Sequence, residues 1–284
     1  MRSVLPLTAL AMTAFAANSL FARLALGDGS IDAASYTAVR VLSGALVLYL
    51  ILVPGRRSAP ATRVPMPGNW FSAAALFVYA LAFSLAYLEL GAATGALILF
   101  ASVQATMIAA GLVRGDRPSG AEIAGFTVAF AAFIYLVAPG VSAPDPLGST
   151  LMILSGVAWG VYSLRGRAAS RPLEETAGNF VRAAGFAVPL VFVSLFQGHW
   201  NAQGVVLALA SGILASGLGY AIWYRALPGL STFQAALVQL SVPVIAAAGA
   251  IAVLTEPLSS RFAIACAFVL GGIAFALLAR RRRS

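Results

Sequence analysis

Apolar runs of helix length follow one another along nearly the whole chain, separated by short polar breaks. Ten can be read, at 4–26, 35–53, 70–90, 93–113, 121–139, 147–165, 177–196, 203–224, 231–254 and 261–279. A bilayer's hydrocarbon core is about 30 Å thick, and roughly 20 apolar residues wound as a helix span it. No water reaches that depth, so each run must pair its own backbone N–H and C=O groups, which a helix does. The breaks carry turn residues, among them Gly27-Asp28-Gly29, Pro54-Gly55, Pro65-Met66-Pro67-Gly68, Pro139-Gly140 and Pro228-Gly229. The pattern predicts an all-α integral membrane protein of ten transmembrane helices, with the lipid bilayer as its main partner.

Composition sharpens this. Of 284 residues, 61% are hydrophobic and 10% charged, whereas a soluble domain is nearer a quarter charged. No polar stretch remains for a separate soluble domain. The net charge of +9 does not point to nucleic acid, because that needs an exposed basic face and these charges sit in short breaks. The basic residues are all arginine, which excludes lysine Schiff-base chemistry. Cys266 is the lone cysteine, so no intramolecular disulfide forms. The single histidine, His199, lies beside Trp200 in a break and reads as an interfacial polar residue. No cluster has metal-ligand spacing, so neither metal nor cofactor is expected. Arg2, the first apolar run and the small residues around Ala14 to Ala17 could mimic a signal peptide. The run continues to Leu26, and a repeat claims it as a permanent helix.

The arginines set an orientation. One side collects Arg2, Arg56, Arg57, Arg63, Arg114, Arg117, Arg165, Arg167, Arg171, Arg225 and Arg280 to Arg283. The other has Arg261 in a loop and Arg23 near a helix end, with Asp28, Asp32, Glu89, Asp145 and Glu256. The first side is expected in the cytoplasm, with both termini, as an even number of spans requires.

The two halves also match in order. Phe15 to Arg23 aligns with Trp159 to Arg167 at an offset of 144. Val39-Arg40 matches Val181-Arg182, Ser102-Val103-Gln104 matches Ser241-Val242-Pro243, and Gly115-Asp116-Arg117 matches Thr255-Glu256-Pro257. Residues 1–142 and 143–284 are therefore read as two five-helix repeats. Five is odd, so consecutive repeats insert with opposite topology. Inverted repeats around a central cavity let a transporter exchange inward- and outward-open shapes.

With Trp159-Gly160, Arg40 and Arg182, Ser241-x-Pro243, Asp116 and Glu256 in place, the chain resembles the drug/metabolite transporter superfamily, closest to its EamA-type exporters. The resemblance spans essentially the whole chain. It implies secondary transport of small metabolites through a central cavity lined by the third, fourth, eighth and ninth helices, helped by the first and sixth. The first half departs from the pattern: Phe15-Ala16, Gln104 and Asp116 stand where Trp-Gly, Pro and Glu are expected.

Those helices supply the candidate substrate-binding residues. Tyr79, Phe83 and Tyr87 recur at helical spacing in the third, and Tyr220 stands in the eighth with Trp223 and Tyr224. The first offers Phe15 and Asn18, the sixth Trp159 and Tyr162, the fourth Phe100 and Gln104, the ninth Gln234 and Gln239. Buried Tyr and Trp need partners for O–H and N–H, and an amide in hydrocarbon must face protein or water. Aromatic walls with neutral polar groups suit an amphipathic solute, such as an amino acid with an aromatic or apolar side chain. Each aromatic could equally be helix packing or an interfacial anchor. Gly156, Gly160, Gly212, Gly217 and Gly219 are expected at close helix contacts, Gly160 and Pro243 having a structural or gating role. Arg40 and Arg182 are read as structural too, paired with loop acids or helix-end carbonyls, in preference to the alternative that they bind substrate.

No acid falls near the middle of a span. A proton-coupled carrier often uses a membrane-embedded carboxylate as a relay, so facilitated diffusion of a neutral or zwitterionic metabolite is expected. The alternative is a multidrug or other metabolite exporter with proton coupling. A membrane-embedded enzyme would need His199 at depth or a Gly-x-Ser-x-Gly elbow, which the chain lacks. A channel usually draws its polar path from oligomer symmetry, whereas this chain carries its own two-fold repeat. A monomer or weak dimer in a bacterial inner membrane is expected.

Overall fold

The computed structural model describes residues 4–57, 66–115, 118–138, 143–167, 169–230 and 238–281. The chain is all-helical: among the described residues there is no strand, only an isolated bridge between Ile31 and Trp200. The helices are α1 (Val4–Leu26), α2 (Ala33–Arg57), α3 (Trp70–Glu89), α4 (Ala92–Val113), α5 (Gly120–Val137), α6 (Pro146–Arg167) and α7 (Pro172–Gln197). Then α8 (Ala202–Ala210), a π-helical segment (Ser211–Leu218) and α9 (Gly219–Ala226) run on into one another, followed by α10 (Ser241–Leu254) and α11 (Ser260–Arg281). Seven stretches are long and apolar enough to cross a membrane: α1, α3, α4, most of α2, α6 and α7, and the run Ala202–Gly229. Gly120–Leu136, Ser241–Leu254 and Ser260–Ala276 are apolar but shorter.

Three sequence expectations are corrected. The run 203–224 is not a plain α-helix but carries π-helical turns at its centre. The ninth run is helical from Ser241 to Leu254, and residues 231–237, with Gln234, lie outside the described residues. Arg261 sits in the first turn of α11 rather than in a loop; it donates from Nε to the Tyr135 carbonyl (2.9 Å) and from Nη2 to that of Ala138, closing the end of α5.

Local chemistry fixes the other helix ends. Asn69 accepts from the Ser72 N–H at 2.8 Å and starts α3. Ser119 and Glu122 form a reciprocal capping box on α5. Asn201 accepts from Gly204 N–H at 2.9 Å, and Pro172 opens α7 where its missing N–H costs no bond. Large apolar side chains such as Leu46, Phe130, Val193 and Phe268 point outward, as lipid-facing positions do.

The interior is rich in alanine, glycine and serine. Small residues let backbones approach where hydrophobic drive between helices is weak. A Cβ on Gly125 would stand 2.6 Å from the Gly272 carbonyl, where α5 crosses α11. Gly156 and Gly160 press α6 on Ser102 and Thr106 of α4. The main packing pairs are α5 with α11, α2 with α7, α3 and α4 with α6, and α1 with the π-segment, α9 and α10.

The connections gather at two ends. At one, Asp32 N–H donates to the His199 carbonyl (3.0 Å) and Asn201 N–H to that of Ser30 (2.9 Å). Arg23 of α1 pairs there with Glu256 (3.0 Å), and the other oxygen of that carboxylate accepts from Ala92 N–H at the start of α4 (2.9 Å). At the other end, Asn69 N–H donates to Asn179 Oδ1 (2.9 Å), Arg165 Nε to Ser72 Oγ (2.9 Å), and Gly229 packs on Val4. Every described carboxylate lies in a connection or within about a turn of a helix end.

Candidate functional site

Between the ends lies a cavity lined by Phe15, Asn18 and Ser19 of α1, Tyr79 and Phe83 of α3, Leu99 and Phe100 of α4, Trp159 of α6, Ala215 of the π-segment and Tyr220 of α9. Seven residues singled out in the sequence thus stand around one space: Phe15, Asn18, Tyr79, Phe83, Phe100, Trp159 and Tyr220. Trp159 is their hub. Its ring lies 4.9 Å from Tyr79, 5.2 Å from Tyr220 and 5.4 Å from Tyr162, stacked on the last two. Phe15, the counterpart of Trp159 in the first half, meets Tyr220 edge-on at 5.6 Å. Such offset and edge contacts are favoured by the ring quadrupoles. The rings close in on the cavity, leaving water centres about 20 Å³, room for about one water.

Other sequence candidates fall elsewhere. Tyr87 is fully buried, packs on Phe83 (4.7 Å) and hydrogen-bonds the Ala92 carbonyl (3.4 Å). Tyr162 lies behind Trp159 and donates to Thr176 Oγ1 (3.1 Å). Gln104 is buried one turn beyond Phe100, and Gln239 is half-buried just ahead of α10; neither lines the cavity. Pro243 is buried in the first turn of α10, where a proline removes no helix bond. Gly160 brings α6 against Thr106, whose Cβ would be 2.8 Å from an added one. No described residue of α10 lines the cavity, although the ninth helix was expected to.

Sequence reasoning missed the polar side of this site. Arg40 was expected to pair with a loop acid or a helix-end carbonyl. Instead it is 2% exposed and lies against the cavity wall. Its Nη2 donates to Tyr79 Oη (2.8 Å) and its Nε reaches Ser216 Oγ (3.3 Å). The guanidinium carbon lies 4.7 Å from the Phe83 ring centre and 5.0 Å from that of Tyr79, within cation–π range. Asn18 Nδ2 donates to the same Tyr79 oxygen (3.3 Å), and Ser211 Oγ donates to Asn18 Oδ1 (2.5 Å).

The π-helical turns explain why two serines point inward. Residues five apart stack in a π-helix, as residues four apart nearly do in an α-helix. Ser211 and Ser216 therefore share the face toward Asn18 and Arg40. Gly212 lets α2 approach: a Cβ there would fall 2.0 Å from Ser43 Oγ and 2.5 Å from the Arg40 carbonyl. The glycines and serines of 211–219 were the only trace of this geometry in the sequence.

Arg182, which the sequence alignment pairs with Arg40, is bonded only to backbone carbonyls among the described residues. It donates to the carbonyls of Gly178 (2.9 Å), Met66 (3.2 Å) and Pro67 (3.4 Å).

An aromatic cavity with a polar flank thus lies within a bundle of long apolar helices. Comparison with known proteins gives the class. Residues 146–278, the half with Trp159-Gly160 and Ser241-x-Pro243, match the EamA-like transporter family. An uncharacterized protein of Pseudomonas aeruginosa is 53% identical over 283 residues, covering 100% of this chain and 97% of the relative. An uncharacterized transporter of Archaeoglobus fulgidus is 29% identical over 62% of this chain and 63% of its own. A crystal structure of 22% identity superposes with a TM-score of 0.64 over 97% of this chain and 99% of the other, a likeness of fold. The chain belongs to the EamA-like transporter family. It is a multi-pass membrane transporter of small molecules.

Proposed function

We propose that this chain is a secondary transporter that exports small amphipathic metabolites, above all amino acids with aromatic or apolar side chains, by alternating access. The observation that carries this reading is the aromatic cavity. Aromatic rings from both halves meet there, around the neutral polar groups of Asn18, Ser19 and Tyr79.

The packing supports an inverted pair of five-helix repeats within ten spans. Advancing each helix by one repeat turns the α3–α6 contact into that of the π-segment and α9 with α1, and the α4–α6 contact into α10 with α1. The pairs α2–α7 and α5–α11 map onto themselves. Such a two-fold arrangement lets one half take the shape of the other and move the opening across the membrane. The described carboxylates keep to helix ends, so the cavity has no acid to relay a proton, and facilitated diffusion follows. The arginine-rich connections support an orientation with both termini in the cytoplasm, as for a protein of a bacterial inner membrane.

The test is uptake of labelled phenylalanine and tryptophan into proteoliposomes, with and without a pH gradient. Saturable uptake indifferent to the gradient is expected. Uptake driven by the gradient would overturn the uncoupled mechanism, and absence of amino-acid flux would overturn the substrate class.

A further inference from the structure

A buried guanidinium normally comes with a carboxylate, because an unpaired charge in a low-dielectric interior is costly. Arg40 has no such partner. The described ion pairs are Arg23–Glu256 and Arg171–Glu174, both away from the cavity. Arg40 is held by two neutral hydroxyls and two ring faces, and its Nη1 has no hydrogen-bond partner among the described residues. The nearby Tyr36 hydroxyl, beside Ser211, also lacks a well-formed hydrogen bond there. The site holds a positive charge and donors to spare, but no negative charge.

The position of Arg40 gives this a meaning. Tyr79 and Phe83, on which the guanidinium stacks, form part of the cavity wall, and Asn18 lines the cavity too. The Tyr79 oxygen accepts from both Arg40 and Asn18. One neutral oxygen thus occupies two donors suited to an anion. A carboxylate could take both and also use the free Nη1, since the planar guanidinium presents its donors as a fork that matches two oxygens.

We propose that Arg40 binds the carboxylate of the transported solute, with the Tyr79 hydroxyl holding its place while the cavity is empty. This rests on the aromatic-metabolite reading above and narrows it. The lining holds no acid to receive an ammonium group, so the α-amino group is dispensable. The site takes aromatic monocarboxylates with or without it, and rejects aromatic amines.

The test is equilibrium binding to the purified protein in lipid nanodiscs, where leak across a bilayer does not matter. The probes are phenylalanine, 3-phenylpropionate, 3-phenylpropionamide and phenethylamine. The two carboxylates are expected to bind, and the amide and amine to bind roughly tenfold or more weakly, the loss of a charge-assisted pair. Arg40→Gln is expected to weaken the carboxylates by on the order of a hundredfold, with Arg40→Lys falling between. The ligand series on the unaltered protein decides the matter even if the variants fail to fold. Amine or amide binding as tightly as 3-phenylpropionate overturns the carboxylate assignment and leaves aromatic transport standing. Carboxylate binding without saturable flux in proteoliposomes overturns the transport reading and leaves the assignment standing. Failure of all four probes to bind overturns both.

Discussion

Arg40 and Arg182 occupy equivalent places in the two halves of the sequence, each directly after a valine in the second helix of its half, yet they have opposite fates. Arg182 is tied to backbone carbonyls. The segment at Met66 to Gly68 folds against α7 so closely that a Cβ on Gly178 would collide with the Pro67 carbonyl, which brings two carbonyls to the guanidinium beside that of Gly178 in α7 itself. Among the described residues, no connection hydrogen-bonds to Arg40. It is left with hydroxyls of α3 and the π-segment, beside the cavity, with a donor unused. Two like places in the sequence do not make two like contacts: what packs against each helix decides what its arginine meets.

The largest expected effect breaks this pair apart. In proteoliposomes, Arg40→Gln should lower flux at low substrate concentration by on the order of a hundredfold. Arg182→Gln should leave flux per folded molecule within about twofold and cost about 1 kcal/mol of stability, as for an ordinary hydrogen-bonding group. Equal losses of flux would erase the distinction.

Trp159 and Phe15 offer a second contrast. Trp159 touches three aromatic rings within 5.4 Å, and Trp159→Ala should cost about 3 kcal/mol or more. Phe15→Ala should cost less, because its contacts with Tyr220 and Trp223 are longer, at 5.6 and 6.1 Å. Thermal unfolding in detergent ranks them, and a larger loss for Phe15 would refute Trp159 as the hub.

Close helix contacts sharpen the picture further. Gly212→Ala forces a methyl against Ser43 and the Arg40 backbone, and Gly178→Ala forces one against Pro67. Each should destabilise by about 1–3 kcal/mol. Only Gly212→Ala should also raise KM, because only there does the strain reach the cavity. The smallest effect belongs to Glu256→Gln. Its ion pair with Arg23 is partly exposed, so the unfolding midpoint should fall by no more than about 1 kcal/mol allows. A larger fall would mean that this contact holds the end of the molecule shut.

Much was legible beforehand. Helix positions follow from apolar run length and from Gly, Pro, Asn and Ser at the breaks, because lipid and backbone hydrogen bonding act locally. Tyr79, Phe83, Phe100, Trp159, Tyr220, Phe15 and Asn18 could be collected by residue type and helix number. Three things could not. Tyr87 and Tyr162 are of the same kind as Tyr79 but lie outside the cavity, Tyr87 beyond Phe83 toward the end of α3 and Tyr162 behind Trp159. The π-helical turns at 211–218, where α2 comes close to Gly212, left only their glycines and serines as a trace in the sequence. The lack of a partner for Arg40 Nη1 among the described residues depends on which helices pack around it.

The sequence by itself determined the class of protein, its helices and its pool of aromatic and amide residues, because burial in lipid and backbone pairing act through the local pattern. The tertiary structure alone decided which of those residues share a cavity, and that one of two equivalent arginines is left unsatisfied beside it, because such contacts come from segments far apart in the chain.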